Sequence, residues 1–204
     1  IRFFIVNTPH APINMLDVCQ SVFFTLQNKV FISCVYTARL PETGGLNLPF
    51  YSNNILKLYT VDPALLGRKL AKKRIEKVVF PVEFVDLQAD GQIPLADCSV
   101  DNVVSTWTLC TIDNLSKALF EIKRILKKNG RFYFLEHGLS DKQNICKWQN
   151  RFNPIQKKIG GGCNLNRKID RLISDAGFKI VEMENFDMKG PKILTHMYKG
   201  IAIP

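Results

Sequence analysis

The sequence predicts an α/β fold: a mixed sheet, mostly parallel, with a C-terminal antiparallel strand pair and helices on both faces. Two observations predict it. Apolar, β-prone runs alternate with helical runs from residue 55 to residue 175, the pattern of strands covered on both faces by crossover helices. The last two apolar runs are separated only by residues 187–193, which include Gly190-Pro191, so they read as antiparallel neighbours.

Residues 1–41 form an atypical N-terminal segment, and residues 42–204 the main domain. The segment holds Phe3-Phe4-Ile5-Val6, Ser21-Val22-Phe23-Phe24 and Val30-Phe31-Ile32-Ser33-Cys34-Val35-Tyr36 without a sustained helical period. The third piece is expected as the first strand of the sheet, or else as part of an irregular appendage. Next come Gly44-Gly45 and an apolar run from Ile55 that stops at Asp62-Pro63. Pro63 cannot continue a ladder, so Asp62 ends its strand. Ligands bind at that edge of open α/β sheets, and a carboxylate there can accept hydrogen bonds from both hydroxyls of a ribose. A ligand-free Asp-Pro turn is the plain alternative.

Residues 64–77 read as a basic helix with Leu65, Leu66, Leu70 and Ile75 on one face. A strand is expected over Val78–Leu87, then a polar, turn-rich loop to Asp101. Asn102–Leu109 reads as a buried strand. Asp113 is the expected N-cap of a helix running to Lys127, which Asn129-Gly130 would end. Arg131–Glu136 is a further strand. Residues 138–166 read as a polar segment with Trp148, Phe152 and Ile159 interspersed, and with a turn at Gly160-Gly161-Gly162. A short helix over 166–175, stopped by Gly177, precedes strands at 178–186 and 194–203.

A chain of 204 residues can bury one substantial core. Its net charge of +10 favours acidic partners. The basic residues are dispersed, however, apart from residues 68–74 and 123–128, which read as solvated helix faces. A lysine-rich enzyme surface is the preferred account, and no specific nucleic acid partner is expected. None of the six cysteines forms a Cys-x-x-Cys pair or a zinc pattern with histidine, so no metal is expected. A reduced, cytoplasmic chain is the simple account. No run is apolar and long enough to span a bilayer, no signal peptide is evident, and nothing supports membrane-surface association. The chain begins at Ile1 rather than Met, and a truncation or shifted reading frame upstream of Gly44 is one expectation.

Four stretches, in order, carry a resemblance. They are Tyr59-Thr60-Val61-Asp62-Pro63; Ile93-Pro94-Leu95-Ala96-Asp97-Cys98-Ser99-Val100-Asp101-Asn102-Val103-Val104; Ala118-Leu119-Phe120-Glu121-Ile122-Lys123-Arg124-Ile125-Leu126-Lys127-Lys128-Asn129-Gly130; and Phe134-Leu135-Glu136-His137 with Trp148-Gln149 and Gly161-Gly162-Cys163-Asn164-Leu165-Asn166-Arg167. From Gly45 onward the chain resembles a class I S-adenosylmethionine-dependent methyltransferase of the type-11 group. The fourth stretch is similar to the branch of methyltransferase-like thiol methyltransferases. The resemblance implies a Rossmann-like fold, S-adenosyl-L-methionine as cofactor, and a small-molecule acceptor, with a thiol as the branch's suggestion.

It also implies roles. Asp62 would hold the ribose, Asp90 and Gln92 the adenine, and Gly44 and Gly45 the methionine side. Trp107 and Thr108 would sit beside the sulfonium and the acceptor. His137 is the candidate base or acceptor-orienting group, with Glu136 to orient it, and Trp148 and Phe152 would wall the acceptor pocket or serve only as packing. The glycine turn departs from the family: residues 38–45 read Ala-Arg-Leu-Pro-Glu-Thr-Gly-Gly, with Pro41 where a tight-turn glycine belongs. A catalytically impaired remnant that keeps the fold and binds cofactor weakly is therefore the alternative.

Overall fold

The computed structural model describes residues 3–7, 48–51, 53, 55–61 and 65–204. Seven strands form one sheet in the order β3-β2-β1-β4-β5-β7-β6. The strands are β1 (Phe3–Asn7), β2 (Lys57–Val61), β3 (Val82–Phe84), β4 (Val100–Thr106), β5 (Leu126–His137), β6 (Lys179–Asp187) and β7 (His196–Ile203). The helices are α1 (Leu65–Ile75), α2 (Leu115–Ile125), α3 (Gln143–Ile159) and α4 (Ile169–Asp175), with 3-10 turns at Leu48–Phe50 and Lys192–Leu194. None of these helices is long and apolar enough to cross a membrane.

β2, β3, β4, β5 and β6 point one way, which gives the mostly parallel sheet expected. The antiparallel pair β6/β7 closes it, with Lys179 opposite Ile203 and Asp187 opposite His196. β1 differs: it lies antiparallel to both neighbours, Phe3 opposite Val61 on one side and Ser105 on the other. Its C-terminus therefore lies at the edge opposite the ends of β2 and β4. The expected first strand, residues 30–36, lies outside the described residues, as do Gly44, Gly45, Asp62 and Pro63.

The central strands β4 and β5 carry apolar residues on both faces because each face meets its own core. Val103, Phe132 and Phe134 join Leu119, Ile122, Ile125, Ile169 and Ile173 from α2 and α4. The alternate residues Val104, Tyr133 and Leu135 pack with Leu58, Phe80 and Met197 on the other side. This is period-2 alternation with both faces buried. β3 is shorter than expected. Leu58 N–H donates to Pro81 O and Val85 N–H to Thr60 O, so this edge strand is paired only around residues 82–84.

α2 begins one residue later than expected. Asn114, not Asp113, is its cap, and its side chain accepts from Lys117 N–H at 3.1 Å. Asn114→Ala should cost about 1 kcal/mol in thermal unfolding, whereas Asp113→Ala, which loses only an exposed 3.4 Å pair with Lys157, should stay within about 0.5 kcal/mol. The helix stops before Asn129-Gly130. Leu126 is already extended (φ −70°, ψ 135°), and β5 starts there. Gly130 has no positive φ; a Cβ on it would lie 2.9 Å from Asp101 O and Lys127 O. Close backbone approach, not a helix cap, requires this glycine.

Much of the segment read as polar is the 17-residue helix α3. Its buried residues are Gln149 and Gln156, while Trp148, Phe152, Ile155 and Ile159 are exposed, so its pattern is inverted. Gln149 anchors the helix: its amide donates to Gly138 O at 3.0 Å and its carbonyl accepts from Ser140 N–H at 2.8 Å. Trp148 and Phe152 stack on each other at 5.6 Å, and both are exposed. Gly177, with φ +83°, terminates α4 as expected.

Candidate functional site

The candidate site lies at the C-terminal edge of β4 and β5. β4 ends at Thr106, and the chain turns sharply through Trp107, whose φ is +54°. Such a backbone is costly for a tryptophan and persists only where the surroundings hold it. Trp107 N–H donates to Leu135 O at 3.0 Å. Thr108 N–H donates to the Glu136 carboxylate at 2.8 and 3.0 Å, and Ser105 Oγ–H donates to Glu136 Oε1 at 2.6 Å. The backbone N–H groups of Leu109 and Cys110 face the same carboxylate. Complete burial pushes the Glu136 carboxyl up to about 7, against the pull of these donors.

Glu136 thus clamps the turn after β4 and does not orient His137. Adjacent residues on a strand point to opposite faces, so their side chains diverge. His137 instead lies beside Cys163, with Nδ1 3.7 Å from Sγ. Its Nε2 is buried and, among the described residues, has no hydrogen-bond partner; the same holds for the Trp107 indole Nε1. Two buried, unanswered polar nitrogens at one sheet edge are costly unless a bound molecule meets them.

A loop over residues 160–167 crosses this edge. Asn164 N–H and its side-chain amide donate to Cys110 O at 2.8 and 3.0 Å. The Arg167 guanidinium donates to Leu109 O, and Leu139 N–H donates to Arg167 O at 2.8 Å. Gly138 allows that approach, since a Cβ there would lie 2.6 Å from Arg167 O. The Cys163 thiol is pulled well below the ordinary range, first by the Cys110 thiol and then by His137 and Arg167. Farther along the same edge, His196 Nδ1 meets Asp187 at 2.8 Å, and Lys142 meets the other Asp187 oxygen at 2.6 Å.

The structure brings Trp107, Thr108 and His137 together through β5. Asp90 and Gln92 share a separate exposed turn after β3, where Gln92 N–H donates to Asp90 Oδ1 at 2.9 Å and Gly91 has φ +84°. Lys117 Nζ donates to Asp90 O. Asp62, Gly44 and Gly45 lie outside the described residues. Sequence reasoning missed Cys110, Cys163 and Arg167 as a cluster. The motif of residues 161–167 marked two of them, but no spacing signals that Cys110 meets Cys163. Among the described residues, no group of three or more His, Cys, Asp or Glu is arranged to hold a metal ion.

A family model described as a methyltransferase domain matches residues 43–134. Thiol S-methyltransferase TMT1B of Rattus norvegicus is 35% identical over 144 residues, 69% of this chain and 58% of that protein. Thiol S-methyltransferase TMT1A of Homo sapiens is 32% identical over 168 residues, 78% of this chain and 66% of that protein.

The chain belongs to the class I S-adenosylmethionine-dependent methyltransferases.

Its fold is that of this class: a SAM-dependent methyltransferase of Methanosarcina mazei superposes with a TM-score of 0.57 at 17% identity, over 72% of this chain and 81% of that one. A SAM-dependent methyltransferase of Aquifex aeolicus gives 0.54 at 16% identity, over 90% and 97%. The chain spans 58% of the length of the rat TMT1B relative. The residues of this chain fit the class cofactor on one count internal to the structure. The buried indole and imidazole nitrogens at the strand ends lack partners, as a site built for a bound ligand requires.

Proposed function

We propose that the chain binds S-adenosyl-L-methionine and transfers its methyl group to a small, partly apolar acceptor, with a thiol as the substrate class. The observation that carries this reading is the unpartnered His137 Nε2 beside the strained Trp107 turn, at the edge where class I methyltransferases bind ligand. The names of the curated relatives support a thiol. The domain spans residues 42–204, with residues 1–41 as an atypical segment, and the chain works in the cytoplasm with no specific nucleic acid partner.

When bound, the cofactor supplies an electrophilic methyl group on a sulfonium. The chain's own work is orientation, exclusion of water and handling of one proton. Asp62 accepts from the ribose hydroxyls. Asp90 and Gln92 face the adenine, and Gly44 and Gly45 give the methionine portion close backbone approach. Trp107 and Thr108 border the reacting groups, and Glu136 keeps their turn in place. A free thiol has a pKa near 8.5, so the acceptor must lose a proton to become the better nucleophile. His137 Nε2 takes it, while Cys163 holds the opposite ring nitrogen.

Calorimetric titration with S-adenosylmethionine and S-adenosylhomocysteine tests the first half. Binding by the wild-type chain that Asp62→Ala abolishes is the expected result. A well-folded chain that binds neither ligand would sink the reading and favour an impaired remnant. For the second half, His137→Ala should lower kcat toward small alkyl thiols about 10²- to 10⁴-fold with the cofactor Kd unchanged. An unchanged kcat would remove His137 from the proton transfer.

A further inference from the structure

Cys110 and Cys163, neither in a disulfide, come from distant parts of the chain. They come together beyond the end of β4, where Asn164 N–H, next in the chain to Cys163, donates to Cys110 O at 2.8 Å and the Asn164 side-chain amide donates to the same oxygen at 3.0 Å. This main-chain tie sets the two cysteines beside each other, and Cys110 is first among the groups that favour the Cys163 thiolate. His137 Nδ1 lies 3.7 Å from Cys163 Sγ, and the loop carrying Arg167 wraps the same point.

We infer that Cys110 and Cys163 form a dithiol that hydrogen peroxide oxidises to an intramolecular disulfide. Cys163 is the attacking group, because cationic and hydrogen-bonding neighbours favour its thiolate. Its sulfur attacks one peroxide oxygen, the O–O bond breaks, and hydroxide leaves to become water. The sulfenic acid on Cys163 is then attacked by the Cys110 sulfur. The S–S bond forms, the S–O bond breaks, and a second water leaves. Two thiols and one peroxide become one disulfide and two waters, the thiols losing two electrons that the peroxide gains.

Access selects the oxidant. Cys163 is 7% exposed and Cys110 2%, which suits a molecule close to water in size. Exposure alone would favour Cys98, which is on the surface, or the half-buried Cys146. Among the cysteines of the described residues, proximity of two thiols and an imidazole is what sets Cys110 and Cys163 apart. The reaction needs neither cofactor nor acceptor, so it stands apart from the methyl-transfer reading.

The test treats the full, folded chain with a few equivalents of hydrogen peroxide. Remaining thiols are then alkylated in denaturant with N-ethylmaleimide, and unreduced peptides are mapped by mass. The expected product is a cross-linked peptide pair containing Cys110 and Cys163, two hydrogens lighter than the separate peptides and split by dithiothreitol. It should form at least tenfold faster in the folded chain than in urea. In Cys110→Ser, dimedone added together with denaturant after the peroxide should trap the sulfenic acid on Cys163. Oxidation of Cys98 or Cys146 with Cys110 and Cys163 still fully alkylated in the wild-type chain would overturn the inference. So would a cross-link that forms no faster folded than unfolded.

Discussion

Arg124→Ala is expected to destabilise the chain by roughly 3–5 kcal/mol. The reason is what the substitution leaves behind. Glu121 is buried on the core side of α2, and its carboxylate accepts from Arg124 Nε at 3.0 Å, Arg124 Nη2 at 2.8 Å and Ile93 N–H at 3.0 Å. Burial pushes the Glu121 carboxyl up, but Arg124 and the Ile93 N–H outweigh it and hold it below the ordinary carboxylate range. Arg124 also donates to Ile93 O at 2.8 Å and Leu95 O at 2.9 Å, and pairs with Asp97 at 2.6 Å. One guanidinium thus fastens α2 to the loop that leads into β4. Without it, a buried carboxylate loses its counter-ion and keeps only the Ile93 N–H, and the carbonyls of Ile93 and Leu95 each lose a donor. Urea unfolding followed by tryptophan fluorescence would measure the loss, which corresponds to a Tm drop on the order of 10 °C. Arg124→Lys should recover little, because an ammonium cannot reproduce the planar fork. A loss below about 1 kcal/mol for Arg124→Ala would show that the network is dispensable.

The second large effect is expected at Glu136. Glu136→Ala should cost roughly 3–5 kcal/mol, because Ser105 Oγ–H and the N–H groups of Thr108, Leu109 and Cys110 lose a buried acceptor. It should also release the Trp107 turn, so cofactor affinity would fall with stability. The pH dependence separates this from a generic cavity. The folded-state carboxyl sits at about 7, above the value of 4.5 for a free glutamate. The native state therefore binds this proton more tightly than the unfolded state does. The stabilisation is fully present below about 4.5 and is lost as pH rises through about 7, on the order of 3 kcal/mol across the window. The loss on Glu136→Ala should then be larger at pH 5 than at pH 8. A loss that grows with pH instead would mean that the donors, not burial, control the carboxyl.

These two clamps show where the sequence was legible. The stretch from Asp113 to Lys127 could be read as a helix, and the apolar runs at 102–109 and 131–136 as strands on either side of it, because period and composition are local properties. What the motif residues do was not legible: Glu121 and Arg124 answer Ile93, Leu95 and Asp97, which are close only after folding. Helix α3 was missed for a related reason. Its apolar residues face solvent and its glutamines face inward, so hydrophobic periodicity pointed the wrong way. The cap fell on Asn114 rather than Asp113 because adjacent residues have similar capping chemistry and only backbone geometry chooses between them.

The sequence by itself determined the α/β class, the family and most of the strand–helix order, since buried strands and amphipathic helices write their periods into neighbouring residues. Only the tertiary structure decided the direction of β1, because a short apolar run reads the same whether it lies parallel or antiparallel. It alone turned Glu136 toward the Trp107 turn and away from His137, because successive strand residues face opposite sides. And it alone joined Cys110, His137 and Cys163, whose meeting depends on a loop crossing the sheet edge, a distance in space that no spacing along the chain encodes.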